Sequence, residues 1–438
     1  MAEESEPTSS EGADGAWSLT VVHAPRAELV GRVYPIGEGI CVGRVAQEGV
    51  DVALDDRLLS GRHATIRRLA DGGRGGGDAG WTVHELVDHG SRNGSFVDGV
   101  RVERSHLSDG AILRLGVTLL ELSRAKYDEP PPSVPASVRG DLVGRSAGFR
   151  SVMQALAEAR KGHAPVVITG EAGSGKTALA SALHAQTALE APLVTVGCGG
   201  GSQLKLRDLV GGDGAEGYFE AAQGGTLVFD EIDLLAPELQ GEVLRILETG
   251  KLPGDRSLEA RIVATTCANL DAAVLAGVFS RELQEALSVH TLDIPPLRAR
   301  RSDIPALARH FLALEEPRRR FDWSATFVEK LLLYDWPMNA RELRTLMRRL
   351  TLVEEQVTTL RSAHLPKHIR RRVRMPTEDQ LRASAIQVQM VPSRAELKKM
   401  LEQHRGDVQR VADHYAKDRR LVYRWIARHD LSVGDYRD

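Results

Sequence analysis

Hydrophobic and polar residues follow three different patterns along the 438-residue chain. From Trp17 to Arg124, short runs of alternating apolar and polar residues are separated by Gly- and Asp-rich turns, which predicts an all-β sandwich. From Gly140 to Lys367, apolar runs of strand length alternate with helical periodicity, which predicts a parallel sheet covered by helices. From Ser393 onward, three apolar stripes at helical spacing predict a small all-α unit.

Two changes in composition separate these patterns. The run Asp128–Pro135 contains four prolines and predicts an extended linker. An Arg- and Gln-containing stretch from His368 to Ser393 forms a second break. The predicted organisation is a disordered tail (1–16), an all-β sandwich (17–125), a Pro-rich linker (126–139), an α/β domain with a helical lid (140–368), a second linker (369–392) and an all-α domain (393–438).

Composition limits the possible functions. The net charge of −3 gives no whole-chain signal for a polyanionic partner, so any contact with nucleic acid must be local. Three widely spaced cysteines argue against a disulfide framework and against a zinc site. No run approaches the roughly 18 apolar residues of a membrane span, and the N-terminus lacks the basic and apolar regions of a signal peptide. We therefore expect a soluble, cytoplasmic protein without membrane contact.

One loop of the α/β region has the complete eight-residue pattern of a phosphate-binding loop, although a chance Gly/Ser-rich loop is the alternative. It lies between a predicted strand, Val166–Thr169, and a predicted helix, Ala178–Leu183. Glycines let backbone N–H groups face phosphates, a lysine supplies positive charge, and a threonine hydroxyl binds magnesium. The pattern predicts binding of ATP and Mg²⁺ by Gly170, Glu171, Ala172, Gly173, Ser174, Gly175, Lys176 and Thr177.

A second nucleotide motif follows about 55 residues downstream, at Gly224–Glu231. An apolar strand that ends in two carboxylates delivers one of them, Asp230, to the magnesium shell. The other, Glu231, would orient a water molecule, and the two are the candidate catalytic residues. The alternative is a pair of acidic residues that caps a helix.

The sandwich region contains three ordered motifs: Gly43-Arg44, Ser60–His63 and Ser91–Gly99. Together they resemble the forkhead-associated (FHA) domain, which binds phosphothreonine, and the resemblance covers the whole region. It implies that Arg44 and Ser60 hold the phosphate. The alternative is a set of ordinary turn residues with a solvated arginine.

The same resemblance implies further roles. Arg62 would assist in phosphate binding, Asn93 would bond the backbone of a phosphothreonine-containing protein, and His63 would brace the loops. Such a site suits a phosphate, because guanidinium and hydroxyl groups are good donors when a rigid sheet presents them on loops. Asp98 stands where the family often has Asn, which affects the turn more than the pocket.

Two segments of the α/β region, Ile294–Pro305 and Trp336–Leu343, nearly match the central AAA+ domain of bacterial enhancer-binding proteins, the activators of sigma-54 RNA polymerase. The resemblance implies an α/β core with a small helical lid, from which Arg341 senses the γ-phosphate. It also implies a homo-oligomer, usually a ring of six, with nucleotide sites between subunits.

The chain departs from this family at the residues that turn ATP over. The segment after Leu209-Val210-Gly211 is too short for the Gly-Ala-Phe-Thr-Gly-Ala loop that grips the sigma factor. The two trans-acting arginines of the family correspond to Ser280 and Ala286 here, with Arg281 one residue out of register. An arginine finger contributes about 10³ to 10⁵ in rate in related phosphoryl transfers, so we expect weak or absent hydrolysis.

Two further substitutions point the same way. The usual sensor-strand Asn is Cys267, and the Asn that checks the catalytic Glu is Gly197. We expect Cys267 to be a small apolar residue buried in a strand, with a redox switch as the alternative.

The C-terminal region resembles the Fis-type helix-turn-helix that ends enhancer-binding proteins. The segments Gly406–Ala412 and Asp418–Ile426 carry the resemblance, with Asp418 as a helix cap. Exposed residues of the second segment would reach DNA bases and phosphates: Arg419, Arg420, Tyr423 and Arg424. The alternative is a solvated basic face on a helical bundle.

These observations favour a DNA-binding transcription regulator that responds to phosphothreonine and binds ATP, assembled as a dimer or a ring. One alternative is an active ATPase that remodels sigma-54 RNA polymerase. Another is a scaffold that binds phosphopeptides and nucleotide without regulating a promoter. Promoter, phosphopeptide, direction of regulation and oligomer size are not encoded in any of these motifs.

Overall fold

The computed structural model describes residues 17–69, 83–124, 142–187, 190–199, 204–212, 215–353, 356–371, 394–404 and 406–414, and a few positions between 422 and 436. The chain divides into two compact units, Met1–Arg374 and Met375–Asp438. The predicted tail, the Pro-rich linker and most of the second linker lie outside the described residues.

The N-terminal region is an all-β sandwich of two sheets, as its alternating pattern predicts. Its strands are β1 (Trp17–His23), β2 (Val33–Pro35), β3 (Gly39–Gly43), β4 (Val52–Ala53), β5 (Arg62–Leu69), β6 (Val83–Asp88), β7 (Ser95–Val97), β8 (Val100–Val102), β9 (Arg104–Leu107), β10 (Ile112–Leu115) and β11 (Thr118–Arg124). One sheet has the order β2-β1-β11-β10-β7-β8, and the other has the order β4-β3-β5-β6-β9. Alternate side chains such as Leu19, Val42 and Ile66 are fully buried between the sheets.

A five-stranded parallel sheet forms the α/β core, in the order β13-β14-β17-β12-β18. The elements are α1 (Ala147–Ala159), β12 (Val166–Thr169), α2 (Lys176–Thr187), β13 (Leu193–Gly197), α3 (Leu206–Val210), α4 (Tyr218–Ala221), β14 (Thr226–Asp230), α5 (Pro237–Thr249), a hairpin of β15 (Lys251–Leu252) and β16 (Arg256–Ser257), β17 (Arg261–Thr266), α6 (Leu270–Leu275), α7 (Arg281–Leu287) and β18 (His290–Asp293). Ligands of such sheets bind at the carboxyl ends of the strands.

Helices pack beside this core to form the lid. Its elements are α8 (Ile304–Glu315), β19 (Asp322–Trp323), α9 (Ala325–Leu333), α10 (Asn339–Leu350), β20 (Thr359–Leu360) and α11 (Lys367–Arg371). The Ser324 hydroxyl caps α9 by accepting a hydrogen bond from Phe327 N at 3.2 Å. The lid core surrounds Trp336, whose side chain is fully buried and donates to Leu331 O at 2.9 Å.

The sandwich packs directly on the lid, which the sequence did not predict. Ile112 and Leu119 of the sandwich belong to the same apolar core as Phe327 of α9. The Arg114 guanidinium bonds Glu329 of α9 at 3.0 Å, with side-chain exposures of 15% and 4%. It also lies 3.5 Å from the centroid of the Phe96 ring. The sandwich and the AAA+ region therefore form one compact unit.

The C-terminal unit is helical and has its own apolar core. It contains α12 (Arg394–Gln403) and α13 (Val408–His414), with further helical residues at 422–423 and 425–426. Asp407 begins α13 by accepting a hydrogen bond from Gln409 N at 3.0 Å. Buried residues of all three predicted stripes meet in one core: Leu397, Leu401, Val408, Val411, Ala412, Val422, Trp425 and Ile426.

Membrane-spanning helices and clusters of metal-binding side chains are both absent from the residues that the structure describes. None of the helices among them is long and apolar enough to cross a membrane. Within the same residues, no group of three or more His, Cys, Asp or Glu side chains could hold a metal ion. All three cysteines are free.

Candidate functional sites

Two loops of the sandwich meet at Gly43. A β-carbon added to Gly43 would collide with the Gly61 carbonyl oxygen, so glycine allows the two segments to touch. Next to it, Arg44 N donates to Ser60 O at 3.0 Å. The exposed Arg44 side chain and the Ser60 hydroxyl therefore lie on adjacent loops, and Arg62 begins β5 two residues further on.

His63 supports these loops from beneath. Its ring is fully buried, and its Nδ1 accepts a hydrogen bond from Ser60 N at 3.1 Å. Burial lowers the pKa of His63, so the ring is neutral near pH 7 and Nδ1 remains an acceptor. The bracing role implied by the family resemblance agrees with this contact.

A third loop brings Asn93 to the same place. Asn93 Nδ2 donates to Leu58 O at 2.7 Å, and Arg92 N donates to Ser60 Oγ at 3.2 Å. Asp88 holds the base of this loop by accepting bonds from the Ser91 and Ser95 hydroxyls at 2.6 Å each. The structure thus places Arg44, Ser60, Arg62 and Asn93 together at one end of the sandwich.

The phosphate loop follows β12 at the carboxyl end of the sheet. Gly173 has a φ of +72°, and a β-carbon there would collide with the Met338 carbonyl oxygen of the lid. Lys176 begins α2, and its ammonium group donates to the carbonyls of Gly170 at 2.8 Å and Glu171 at 3.1 Å. Thr177 is exposed beside it at the start of the helix.

Asp230 ends β14 on the same edge of the sheet. Its Oδ1 accepts a hydrogen bond from Thr265 Oγ1 at 2.6 Å, which orients the carboxylate. Glu231 follows with a left-handed φ of 60° and an exposed side chain. Both residues line the same cavity as the phosphate loop.

The expectation for Cys267 was wrong. Strand β17 ends at Thr266, so Cys267 lies just beyond the sheet and is exposed. Its Sγ is 2.9 Å from Lys176 Nζ, inside the nucleotide cavity. A thiol therefore contacts the lysine of the phosphate loop where the family has an amide. Gly197, the other substituted position, ends β13 opposite Asp230.

Lid residues that the motif analysis did not assign hold the phosphate loop in place. Arg298 bonds both carboxylate oxygens of Glu171, and Asn339 Nδ2 donates to Glu171 Oε2 at 3.1 Å. Hydrogen bonds from Arg298, and then from Asn339, lower the pKa of Glu171 to about 2. Both residues lie in the two segments that resemble the AAA+ family. That resemblance is the only feature of the sequence that could have identified them.

A cavity of about 680 Å³ lies between the phosphate loop and the lid. Arg341, the second residue of α10, lines it. Arg300 is 4% exposed and donates to Ser174 O at 2.9 Å. Two buried polar atoms at this cavity, Ser174 Oγ and Arg300 Nε, have no hydrogen-bond partner among the described residues. An apolar end is formed by Leu142, Val143, Phe149, Ile294, Leu307 and Phe311.

The positions of the missing trans-acting arginines have other structural roles. Ser280 caps α7 by accepting a bond from Leu283 N at 3.1 Å, and Ala286 is half-buried in the same helix. Arg281 is exposed in its first turn. The shortened loop closes at Gly212 and Ala215, which form an isolated β-bridge; residues 213 and 214 lie outside the described residues.

The predicted DNA-contacting residues are only partly described. Tyr423 is 41% exposed and lies beside the buried Val422. Arg419, Arg420, Arg424 and the predicted cap Asp418 lie outside the described residues.

The parallel sheet, the phosphate loop and the helical lid define a P-loop AAA+ domain, which is joined here to an FHA-type sandwich. Residues 142–293 match the Sigma-54 interaction domain, residues 298–381 the AAA+ ATPase lid domain, and residues 40–116 the FHA domain. These regions of the chain are thus similar to the three domain types, and the β-sandwich, the α/β core and the helical lid agree with the fold class that the sequence analysis predicts.

The curated relatives match about half of this chain. Transcriptional regulatory protein ZraR of Escherichia coli (strain K12) is 36% identical over 241 residues, which cover 51% of this chain and 54% of that protein. DNA-binding transcriptional regulator NtrC of Rhizobium meliloti (strain 1021) is 37% identical over 235 residues, covering 49% and 48%. The chain spans about half the length of these curated relatives. NtrX from Brucella abortus in complex with ATP matches 66% of this chain and 70% of that chain, at 27% identity and a TM-score of 0.48.

Proposed function

We propose that this chain is a DNA-binding transcription regulator that binds ATP, responds to a phosphothreonine-containing protein and hydrolyses ATP weakly or not at all. The observation that carries the proposal is the cavity between the phosphate loop and the lid. It retains the groups that hold a nucleotide, whereas the groups that promote turnover are replaced.

ATP with Mg²⁺ fits the residues of this cavity. The backbone from Gly170 to Gly175 and the ammonium group of Lys176 would hold the phosphates. Thr177 and Asp230 carry the oxygens that Mg²⁺ prefers, and Arg341 would contact the terminal phosphate from the lid. The unpartnered Ser174 hydroxyl and Arg300 Nε are further donors for a polar ligand.

We expect weak ATP hydrolysis because of the residues that surround the same cavity. Asp230 and Glu231 are the candidate catalytic residues, but Cys267 and Gly197 stand where the family has asparagines. Arginine fingers supplied by a neighbouring subunit contribute about 10³ to 10⁵ in rate, and their positions hold Ser280 and Ala286 here. ATP would then act as a ligand that sets the assembly state of a homo-oligomer, whether a dimer or a ring.

The sandwich supports a role as a phosphothreonine sensor. Arg44, Ser60 and Arg62 offer guanidinium and hydroxyl donors to a phosphate, and Asn93 offers an amide to the peptide backbone. These groups stand on loops that His63 and Asp88 brace through hydrogen bonds. A protein phosphorylated on threonine is therefore the proposed upstream partner, in the cytoplasm.

The C-terminal unit is the proposed DNA-binding part. Asp418 would cap its recognition helix, and Arg419, Arg420, Tyr423 and Arg424 would contact bases and phosphates. The proposed domains are the sandwich at 17–125, the α/β domain with its lid at 140–368 and the DNA-binding domain at 393–438. The relatives named as transcriptional regulators support promoter binding as the output.

One experiment separates this proposal from an active ATPase that remodels sigma-54 RNA polymerase. Nucleotide binding and phosphate release are measured on the same sample, over a range of protein concentrations. We expect micromolar ATP affinity with negligible phosphate release. Hydrolysis that rises steeply with protein concentration would instead show an active ring. Lys176→Ala should weaken ATP binding by about 100-fold, whereas Lys161→Ala, at an exposed lysine paired with Glu158, is the matched control.

A scaffold without promoter binding is the remaining alternative. In a gel-shift series over salt concentration, Arg420→Ala and Arg424→Ala should weaken DNA binding. Unchanged binding by both variants would remove the regulator function while leaving the ATP and phosphopeptide sites intact.

A further inference from the structure

A second cavity, of about 1,010 Å³, lies between the sandwich and the α/β domain with its lid. Its walls come from β1 and the segment that follows it in the sandwich, and from residues within 145–150, 302–309 and 322–325. It shares no lining residue with the nucleotide cavity. Ligand pockets are frequent between domains and typically measure about 300 to 1,000 Å³, so this cavity is large enough for a small organic molecule.

Much of the wall of this interdomain cavity is apolar. Val22 of β1 is 3% exposed and Trp323 of β19 is 7% exposed, and both line it. Other apolar residues of the lining are Ala24, Val30, Pro305 and Ala306. A wall of this composition favours the carbon skeleton of an organic ligand.

Arg145 brings one positive charge to the sandwich side of the cavity. A β-carbon on Gly31 would lie 2.9 Å from Arg145 Nη1, and Gly31 has a φ of +90°. Glycine therefore suits this position both for the turn and for the close approach of the guanidinium group. Gly31 N donates to Val21 O at 2.8 Å, so Arg145 lies near β1 at Val21.

Arg309 brings a second positive charge to the same strand. Its guanidinium carbon lies 4.2 Å from the centroid of the Trp323 ring, an arrangement that stabilises a cation. Burial, and then the nearby charge of Arg309, lower the pKa of His23 to about 4. His23 is two residues beyond Val21 on β1, so Arg145 and Arg309 approach neighbouring positions of one strand.

The acidic residues of the lining leave these two arginines with free donors. The Asp303 carboxylate accepts bonds from Arg145 N, Ser146 N and the Ser146 hydroxyl. Partial burial lowers the pKa of Arg309, and the charge of Asp322 opposes this only in part. Neither guanidinium group donates a hydrogen bond to any residue that the structure describes. Both can therefore donate to an anion in the cavity.

We propose that this interdomain cavity binds a small organic anion, with its negative group at Arg145 and Arg309 and its apolar body against Val22 and Trp323. The proposal is independent of DNA and phosphothreonine binding. Because the lining comes from both the sandwich and the lid, a bound ligand stabilises their packing and raises the Tm of the chain.

Two fluorescent probes with the same aromatic rings test this site in the full-length chain. Anilinonaphthalene sulfonate carries a negative charge, whereas N-phenylnaphthylamine is neutral. We expect the sulfonate to bind at one saturable site and to raise the Tm. In Arg145→Gln/Arg309→Gln its affinity should fall by about 10-fold or more, because hydrogen bonds to charged groups are the strong ones. The affinity for the neutral probe should stay close to the wild-type value.

A matched control removes two positive charges elsewhere. Lys251 and Arg256 are exposed, are paired with Asp255 and Glu220, and lie outside the cavity. Lys251→Gln/Arg256→Gln should keep the wild-type affinity for both probes. An equal fall in the two double variants would show a general charge effect. An unchanged sulfonate affinity in Arg145→Gln/Arg309→Gln would show that these arginines do not hold the anion, and either result overturns the proposal.

A third variant tests the cavity itself. Ala306→Trp places an indole ring in the space that Ala306 lines, so it should weaken binding of both probes and leave the affinity for ATP unchanged. Wild-type affinity for both probes in this variant would put the site outside the cavity. Displacement of the sulfonate by ATP would assign it to the nucleotide cavity, and a Tm lowered by the sulfonate would show binding to the unfolded chain. Each of these three results overturns the proposal.

Discussion

The sandwich loops around Arg44 and the phosphate loop around Lys176 are both suited to an anion, but they are assembled differently. The contacts that shape the sandwich loops come from within the sandwich, as in the bond from Ser60 N to His63. The phosphate loop is held by Arg298 and Asn339 of the lid, more than 120 residues away. A site built within one domain can bind independently, whereas a site shared between two domains responds to their relative position.

The two regions are also joined physically. Asn93 lies on the loop that leads into β7, and Phe96 of β7 packs under the Arg114 guanidinium that pairs with Glu329 of the lid. The sandwich therefore rests on the same lid that holds the phosphate loop. Substitutions can test separately how strongly the sandwich is held on the lid and whether the two sites bind their ligands independently.

Glu329→Ala should have the largest effect, because it leaves the largely buried Arg114 without its partner. Removing one member of a buried ion pair costs about 3 to 5 kcal/mol, and chemical denaturation of the whole chain measures the loss. Glu158→Ala, which breaks an exposed pair with Lys161, should cost less than about 1 kcal/mol. Equal losses in the two variants would mean that the sandwich and lid are not firmly joined.

Lys176→Ala should weaken ATP binding by about 100-fold, because hydrogen bonds to a charged group contribute about 1.5 to 3 kcal/mol. Titration calorimetry with ATP measures the change. The affinity for a phosphothreonine peptide should stay at the wild-type value, since Lys176 makes no contact with the sandwich among its described bonds. A parallel loss of peptide affinity would contradict separate sites.

Arg44→Ala should weaken binding of a phosphothreonine peptide by about 30-fold, through loss of a charge-assisted contact of about 2 kcal/mol. Fluorescence anisotropy with phosphorylated and unphosphorylated peptides measures this, with Arg67→Ala as the control because Arg67 pairs with Glu85. A wild-type affinity in the Arg44 variant would assign the phosphate to other residues.

Glu121→Gln should have the smallest effect, confined to pH dependence. Burial raises the pKa of Glu121 to about 7, against opposing contributions from Ser302 and Arg301 of the lid segment. The folded state therefore holds this proton more tightly than the unfolded chain, and its stabilising effect is lost as pH rises from about 4.5 through 7. The decrease in Tm as pH rises over this range should be smaller in the variant. An unchanged dependence of Tm on pH would show that Glu121 does not cause the decrease.

Most of the fold could be predicted because its signals are local. Alternation along segments such as His63–Arg67 gave the sandwich strands, and the glycines of the phosphate loop gave the strand-loop-helix around Lys176. The residues that shape the nucleotide cavity were harder to predict from the sequence. Arg300 and Asn339 carry no chemical signature of their own. Cys267 was expected in a strand because it directly follows Ala264-Thr265-Thr266 at the sensor-strand position of the family, whereas β17 ends at Thr266.

The sequence by itself determined the phosphate loop, the three motifs of the sandwich and the helical periodicity of the C-terminal unit, since each depends on backbone geometry within a few residues. Only the tertiary structure placed Cys267 against Lys176 and Arg298 against Glu171. It also decided that the sandwich packs on the lid, through Arg114 and Glu329. Such contacts join residues about 90 to 215 positions apart. They arise from the packing of whole domains, which periodicity and short motifs do not encode.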